Sequence, residues 1–145
     1  MLSSTSKYGL RAIVYIAGNQ KKGEKIGIKK ISSDLELPMP FLAKILQLMV
    51  KQKILDSSKG PHGGFSLARD AREIHISEVV KAIDGEDVFH RCVLHNENCV
   101  SFENTRSRCI LHDDYVKARY KIEKLFDEKT VHSLVNTAKK TDALF

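Results

Sequence analysis

Three cysteines, Cys92, Cys99 and Cys109, fall within one short polar stretch of a 145-residue chain that has no others. His112 follows the last of them in a Cys-x-x-His arrangement. Their neighbours are Asn, Glu, Arg and Ser, which is not the apolar company that a buried thiol keeps. An odd count leaves one thiol over in any disulfide scheme, and a reducing compartment disfavours the bond itself. Thiols gathered in an aperiodic loop can converge on a metal, because a loop bends together ligands that a helix would hold apart. Three thiolates and an imidazole meet the ligand count of a structural zinc site, and thiolate clusters equally suit iron–sulfur centres. Thiols without a metal form the third reading, and spacing alone leaves all three open. His90 and His95, close by, read as solvated loop histidines.

The second set of chemical groups is cationic. The net charge is +6, but it is unevenly spread. Residues 1–69 carry twelve Lys/Arg against four acids, and residues 70–145 carry twelve against fourteen. A basic first half suggests a polyanionic partner for that half only. Within it, "FLAKILQLMVK" places Leu42, Ile45, Leu46 and Met49 at i, i+3, i+4 and i+7, an inward helical face. Ala43, Lys44, Gln47 and Lys51 occupy the outward one. Lys and Gln can reach guanine and adenine edges in a major groove, or the phosphates beside it. Further on, "SSKGPHGGFSLAR" (residues 57–69) sets Gly60, Pro61, Gly63 and Gly64 between apolar runs, with Lys59 and His62 among them. Such clusters between alternating runs read as a hairpin connection with a cationic tip.

These groups need elements to hold them. Residues 5–17 have helical spacing, with Tyr8, Ala12, Tyr15 and Ile16 on one face and Lys7 and Arg11 beside it. Ile28, Ile31 and Leu35 mark a short second helix. Pro38 and Pro40 then open the helix that carries Lys44 and Gln47, a position where proline is tolerated. Two short helices joined by a tight turn, followed by a hairpin, make the pattern of a winged helix-turn-helix. "EIHISEVVKAIDGE" adds a helix through Ile76, Val79, Val80 and Ile83. Helical spacing is then lost until Tyr115, Ala118, Ile122 and Leu125, where Asp113 and Asp114 suit a helix N-terminus. "TVHSLVNTAKK" reads as a short last helix before a frayed tail. The expected fold is mainly α with a small β-hairpin wing, plus a long C-terminal dimerisation helix. Its expected parts are residues 1–85 as the DNA-binding domain, 86–112 as the cysteine loop, and 113–145 as the dimerisation helix and tail.

"TSKYGLRAIVYIA", "LPMPFLAKILQLMVKQKIL", "SSKGPHGGFSLAR" and "EIHISEVVKAIDGE" resemble successive blocks of the Rrf2 family of bacterial winged-helix transcription regulators, which includes the IscR, NsrR and RirA types. The resemblance runs in unbroken order over residues 3–85 and resumes across the cysteines. It implies a homodimer on double-stranded DNA at a partly palindromic operator, with Lys59 placed as the family's basic wing residue that enters the minor groove. The DNA-facing set expected here is Lys7, Tyr8, Met39 and Pro40, then Lys44, Gln47 and Lys51, then Lys59 and His62 at the wing. For Cys92, Cys99, Cys109 and His112 it implies an iron–sulfur cluster, 2Fe–2S or 4Fe–4S, with zinc as the alternative. This chain has Ala43 where the family's iron–sulfur regulator carries a Glu, and its cysteine gaps are longer than that type's usual ones.

The resulting expectation is a transcription regulator that senses iron, redox state or nitric oxide. A cluster-free or zinc-containing regulator answering to a metabolite or protein is the alternative, and an iron–sulfur carrier or assembly protein the third. No P-loop, dinucleotide fingerprint, paired-carboxylate motif or nucleophile elbow is present to support an enzyme. No run approaches the ~20 apolar residues of a membrane span, and the first residues read as an amphipathic helix, not a signal peptide. A cytoplasmic location without membrane association is expected.

Overall fold

The computed structural model describes residues 2–94 and 110–141. Helix α1 (Ser4–Asn19) starts at Ser3, whose Oγ accepts the Ser6 N–H at 3.0 Å and so satisfies one of the orphan donors of the first turn. Ala12, Ile13 and Ile16 are fully buried along it. Tyr8 and Tyr15 lie on the margin of that face, half-buried. The Tyr15 hydroxyl donates to the Asp34 carboxylate, to which Lys30 Nζ also donates at 3.0 Å. These two donors hold Asp34 below the usual carboxylate range and brace α1 against α2 (Ile28–Leu35).

Between α2 and α3 (Met39–Lys51) lie only Glu36, Leu37 and Pro38. The turn closes by the Leu37 N–H donating to Ser32 O at 3.0 Å and the Ser32 hydroxyl donating to Leu37 O at 2.5 Å. Glu36 takes the left-handed conformation (φ 54°) that lets the chain leave α2 abruptly. Pro40 sits in the first turn of α3, where its missing N–H is no loss. Leu42, Ile45, Leu46 and Met49 are all buried, as their spacing predicts. Each contributes on the order of 1.5–3 kcal/mol by leaving water.

Strands β1 (Leu55–Ser58) and β2 (Gly64–Leu67) form the antiparallel hairpin, with Leu55 opposite Leu67 and Ser58 opposite Gly64. The segment before α2 adds a bridge, Ile26 and Phe65 exchanging two backbone hydrogen bonds of 2.9 Å. Gln20, just past α1, accepts the Leu67 N–H at 2.9 Å. The hairpin is therefore held at its base by both neighbouring segments. Three helices and this wing make a winged helix-turn-helix.

Helix α4 (Ile76–Asp84) buries Ile76, Val79 and Val80 against the domain. A 3-10 turn follows over Glu86–Phe89 and buries Val88 and Phe89, so the structured part extends past the point where helical spacing is lost. None of the residues of α5 (His112–Glu128) is fully buried. Its C-terminal half touches the domain through Phe126, edge-on to Phe89 at 5.9 Å, and through Glu123, 3.9 Å from Lys81. Tyr120 and Leu125 face solvent. Helix α6 (Val131–Thr141) packs on α1, burying Val131 and Val135, and is pinned by the Val131 N–H donating to Ile74 O at 2.9 Å. It belongs to the core, where the sequence reading has only a helix before a tail. Among the described residues no helix is long and apolar enough to cross a membrane.

Candidate nucleic-acid interface

The burial of one side of α3 dictates what the other side shows. Lys44, Gln47 and Lys51 are exposed, and the helix contains no acid. Leu48, one turn beyond Lys44, is exposed too at 38%. The sequence reading omits it, although its position outside the Leu42–Met49 stripe is the signal that would have found it. A leucine there suits a thymine methyl group. Met39 and Pro40 are exposed at the start of the same helix. Tyr8 is drawn to them from α1: its ring stands edge-on to Phe41, with centroids 5.6 Å apart, and the Arg11 guanidinium lies 5.9 Å from the ring. Arg11 also reaches Leu35 O at 3.5 Å, linking all three helices. Lys7 takes a different direction, lining a cavity with Phe89 and Arg119 on the α5 side.

At the wing, Lys59 and His62 are exposed near the tip. A Cβ on Gly64 would stand 2.3 Å from Ile26 O, and one on Gly63 2.4 Å from Ser58 O. Only glycine lets the backbone pass so close, which accounts for the pair in sequence. Gly64 also has φ +150°. The base of the wing is electrostatically closed. Arg69 donates to Glu73 O at 2.8 Å and pairs with the Glu78 carboxylate. Burial alone would raise the Glu78 carboxyl, but Arg69 and the His75 N–H outweigh it and hold it below the ordinary range. Arg72 holds Asp70 at about 2 through side-chain and backbone hydrogen bonds.

The fold thus neutralises Lys30, Arg69, Arg72, Lys81 and Arg91 by internal carboxylates. Lys44, Lys51 and Lys59 have no such partner among the described residues. Those three are available to an external polyanion without breaking any internal pair.

The thiol set is less fully placed. Cys92 is half-buried and follows Arg91, which donates to Asp84 O at 2.9 Å and pairs with Asp87 at 3.0 Å. His112 is half-buried as the first residue of α5. Cys99 and Cys109 lie outside the described residues, and among those described no three His, Cys, Asp or Glu side chains converge as a metal site.

The model of the Rrf2 family, described as an iron-dependent transcriptional regulator, matches residues 2–137. An HTH-type transcriptional regulator of Aquifex aeolicus is 30% identical over 140 residues, covering 97% of this chain and 94% of that one. The HTH-type transcriptional regulator NsrR of Shouchella clausii is 28% identical over 113 residues, 77% of this chain and 75% of its own. Among solved structures, the IscR of T. potens superposes with a TM-score of 0.76 at 20% identity, over 99% of this chain and 91% of that one. CymR, the global cysteine regulator of B. subtilis, gives 0.75 at 18% identity over 94% and 97%. The two solved structures share the fold, and the family model spans the winged domain, the cysteine stretch, α5 and most of α6. The chain belongs to the Rrf2 family of DNA-binding transcriptional regulators.

Proposed function

We propose that this protein binds a partly palindromic duplex operator as a homodimer and senses iron, redox state or nitric oxide through a thiolate-ligated iron–sulfur cluster. The observation that carries the DNA reading is the unpaired cationic face of α3, with Gln47 at its centre and Lys59 beyond it on the wing. In this reading Lys44, Gln47, Leu48 and Lys51 enter the major groove. Met39, Pro40 and Tyr8 steady the start of that helix against the backbone, and Lys59 and His62 follow the adjoining minor groove; Lys7, on the α5 side, stands apart from this face. Residues 1–85 bind DNA, residues 86–112 hold the sensor, and within residues 113–145 helix α5 carries the dimer contact while α6 completes the core. The solvent-facing Tyr120 and Leu125 on α5 support the dimer assignment.

The donor chemistry fits the cluster. Cys92 and His112 stand at the two ends of the stretch that contains Cys99 and Cys109, and three thiolates with one imidazole suit such a centre. A bound cluster would supply one-electron and nitric-oxide chemistry. The chain's part is to hold it with Cys92, Cys99 and Cys109, with His112 as the fourth ligand at the start of α5. Zinc on the same donors is the competing assignment.

Two measurements test the reading. Fluorescence anisotropy on duplexes should show affinity falling steeply with salt, and Lys59→Ala should reduce the logarithmic salt slope by about one. Protein purified without oxygen should be brown, and should lose its visible absorption when Cys92, Cys99 or Cys109 is replaced by Ala. Salt-independent binding overturns the first half; colourless protein with stoichiometric zinc overturns the second.

A further inference from the structure

Residues 19–30, "NQKKGEKIGIKK", hold five lysines against one acid, Glu24, and neither α3 nor the wing tip accounts for them. Lys30 turns to Asp34. Lys21, Lys22 and Lys29 are exposed and Lys25 half-buried, and none of the four has a carboxylate partner among the described residues. Hydrogen bonds order these cations along the wing. Through its two bonds with Phe65, Ile26 sets residues 25–27 antiparallel to β2, on the edge that β1 leaves free. Strand β2 leaves the tip at Gly64 and reaches the base at Leu67. Gly27 lies at the tip end, where a Cβ on Gly64 would stand 2.8 Å from its nitrogen. Gln20 lies at the base end, its side chain accepting the Leu67 N–H. Lys25 and Lys29 therefore bracket the tip end of this edge, toward Lys59. Lys21 and Lys22 stay at the base, in a turn where Gly23 has φ +81° and the Glu24 N–H donates to Lys21 O at 3.0 Å.

Lys29 also stands in the first turn of α2, the first helix of the pair. Such a helix crosses the DNA backbone while its partner enters the major groove. Phosphate contacts of this kind fix register and orientation without reading sequence. We propose that Lys25 and Lys29 form a phosphate-binding edge of the wing, which grips the duplex backbone beside the minor groove followed by Lys59. The proposal rests on the duplex reading and extends it to two cations outside α3 and the wing tip.

The test compares charge-matched variants of the full chain by fluorescence anisotropy, on an operator duplex selected from a random pool by the wild-type chain. Lys25→Gln with Lys29→Gln should weaken binding at least tenfold and reduce the logarithmic salt slope by about two. The loss should be the same on single-base variants of the operator. Lys21→Gln with Lys22→Gln, which removes the same charge from the base of the wing, should lose less than twofold. Lys25→Arg with Lys29→Arg should keep the wild-type slope, which separates lost charge from a disturbed fold. Equal losses by the two Gln pairs would reduce the edge to a diffuse field and overturn the proposal. So would undiminished binding by the Lys25 and Lys29 Gln pair, which would leave these lysines to solvent or to an acidic protein. Salt-independent binding by the wild-type chain would overturn the duplex reading, and the proposal with it, so the two failures are distinguishable.

Discussion

Ser3 and Asp84, 81 positions apart in the chain, are joined by two hydrogen bonds: the Ser3 N–H donates to Oδ2 at 3.0 Å and its hydroxyl to Oδ1 at 2.5 Å. The same Ser3 oxygen caps α1 by accepting the Ser6 N–H. One side chain therefore starts α1 and clamps it to the end of α4. Ser3→Ala should cost about 1–2 kcal/mol, since the cap and the hydroxyl half of the clamp are lost together while the backbone N–H still donates to Asp84. Asp84→Asn should cost less in the Ser3→Ala background than alone, because the hydrogen bond between the two side chains is already gone. Urea denaturation of the two single variants and the double variant checks this; strictly additive losses would show that Ser3 and Asp84 do not cooperate.

Gly64→Ala forces a Cβ onto Ile26 O and puts a side chain at a φ of +150°. A loss of about 1–3 kcal/mol is expected from the strain alone. Hydrogen exchange should quicken at the Ile26 and Phe65 amides, whose mutual bonds hold the base of the wing. Unchanged exchange there would mean that the hairpin tolerates the side chain by shifting as a unit.

The Glu78 carboxyl, held below its ordinary range by Arg69 and the His75 N–H, contributes stability above that range. The contribution is lost as pH falls through about 4.3 into the lowered range. Glu78→Gln should lower stability at neutral pH and flatten its acid limb between roughly pH 5 and 3. The pair is more than a third exposed on the Glu78 side, so 1 M salt should shrink the difference between the two proteins. Urea midpoints across that pH range, at low and high salt, make the comparison.

Gln47→Ala should cost on the order of 1–3 kcal/mol of duplex affinity, concentrated at particular base pairs, if Gln47 grips a base edge. Anisotropy on an operator and on its single-base variants reads the effect. Equal losses on specific and random duplexes would assign Gln47 to the backbone instead.

His112 is the first residue of α5, so fixing it together with Cys92, Cys99 and Cys109 around one centre would constrain where that helix begins. In a dimer, this would alter the separation of the two α3 helices, and half-sites of such dimers occur at fixed multiples of roughly 34–36 Å. Loaded and cluster-free protein should differ at least severalfold in operator affinity, and a tenfold difference requires only about 1.4 kcal/mol. Cys92→Ala should behave as cluster-free protein whatever the iron supply, and His112→Ala should shift the visible spectrum without abolishing it. Identical affinities of both forms under anaerobic conditions would leave the cluster without a sensing role.

What the amino-acid order determines by itself is local. The apolar period of Leu42, Ile45, Leu46 and Met49 selects the inner face of α3, and by exclusion the outward face of Lys44 and Gln47. Pro38 and Pro40 place its start, and Gly63 and Gly64 mark the hairpin, because each acts through its own backbone or its near neighbours. The cysteine positions and His112 name a donor set, but ligand types carry no distances. The tertiary structure decided which cations remain available: Arg69 is as basic as Lys59 in sequence, and only the approach of Glu78 from α4 neutralises it. It also decided that Val131 and Val135 complete the core beneath α1, that Tyr8 leans on Phe41, and that Lys7 and Arg119 share one cavity. Those relationships join residues far apart in the chain. Helical or strand periodicity contains no term for them; they exist only once α4, α5 and α6 have packed against the winged domain.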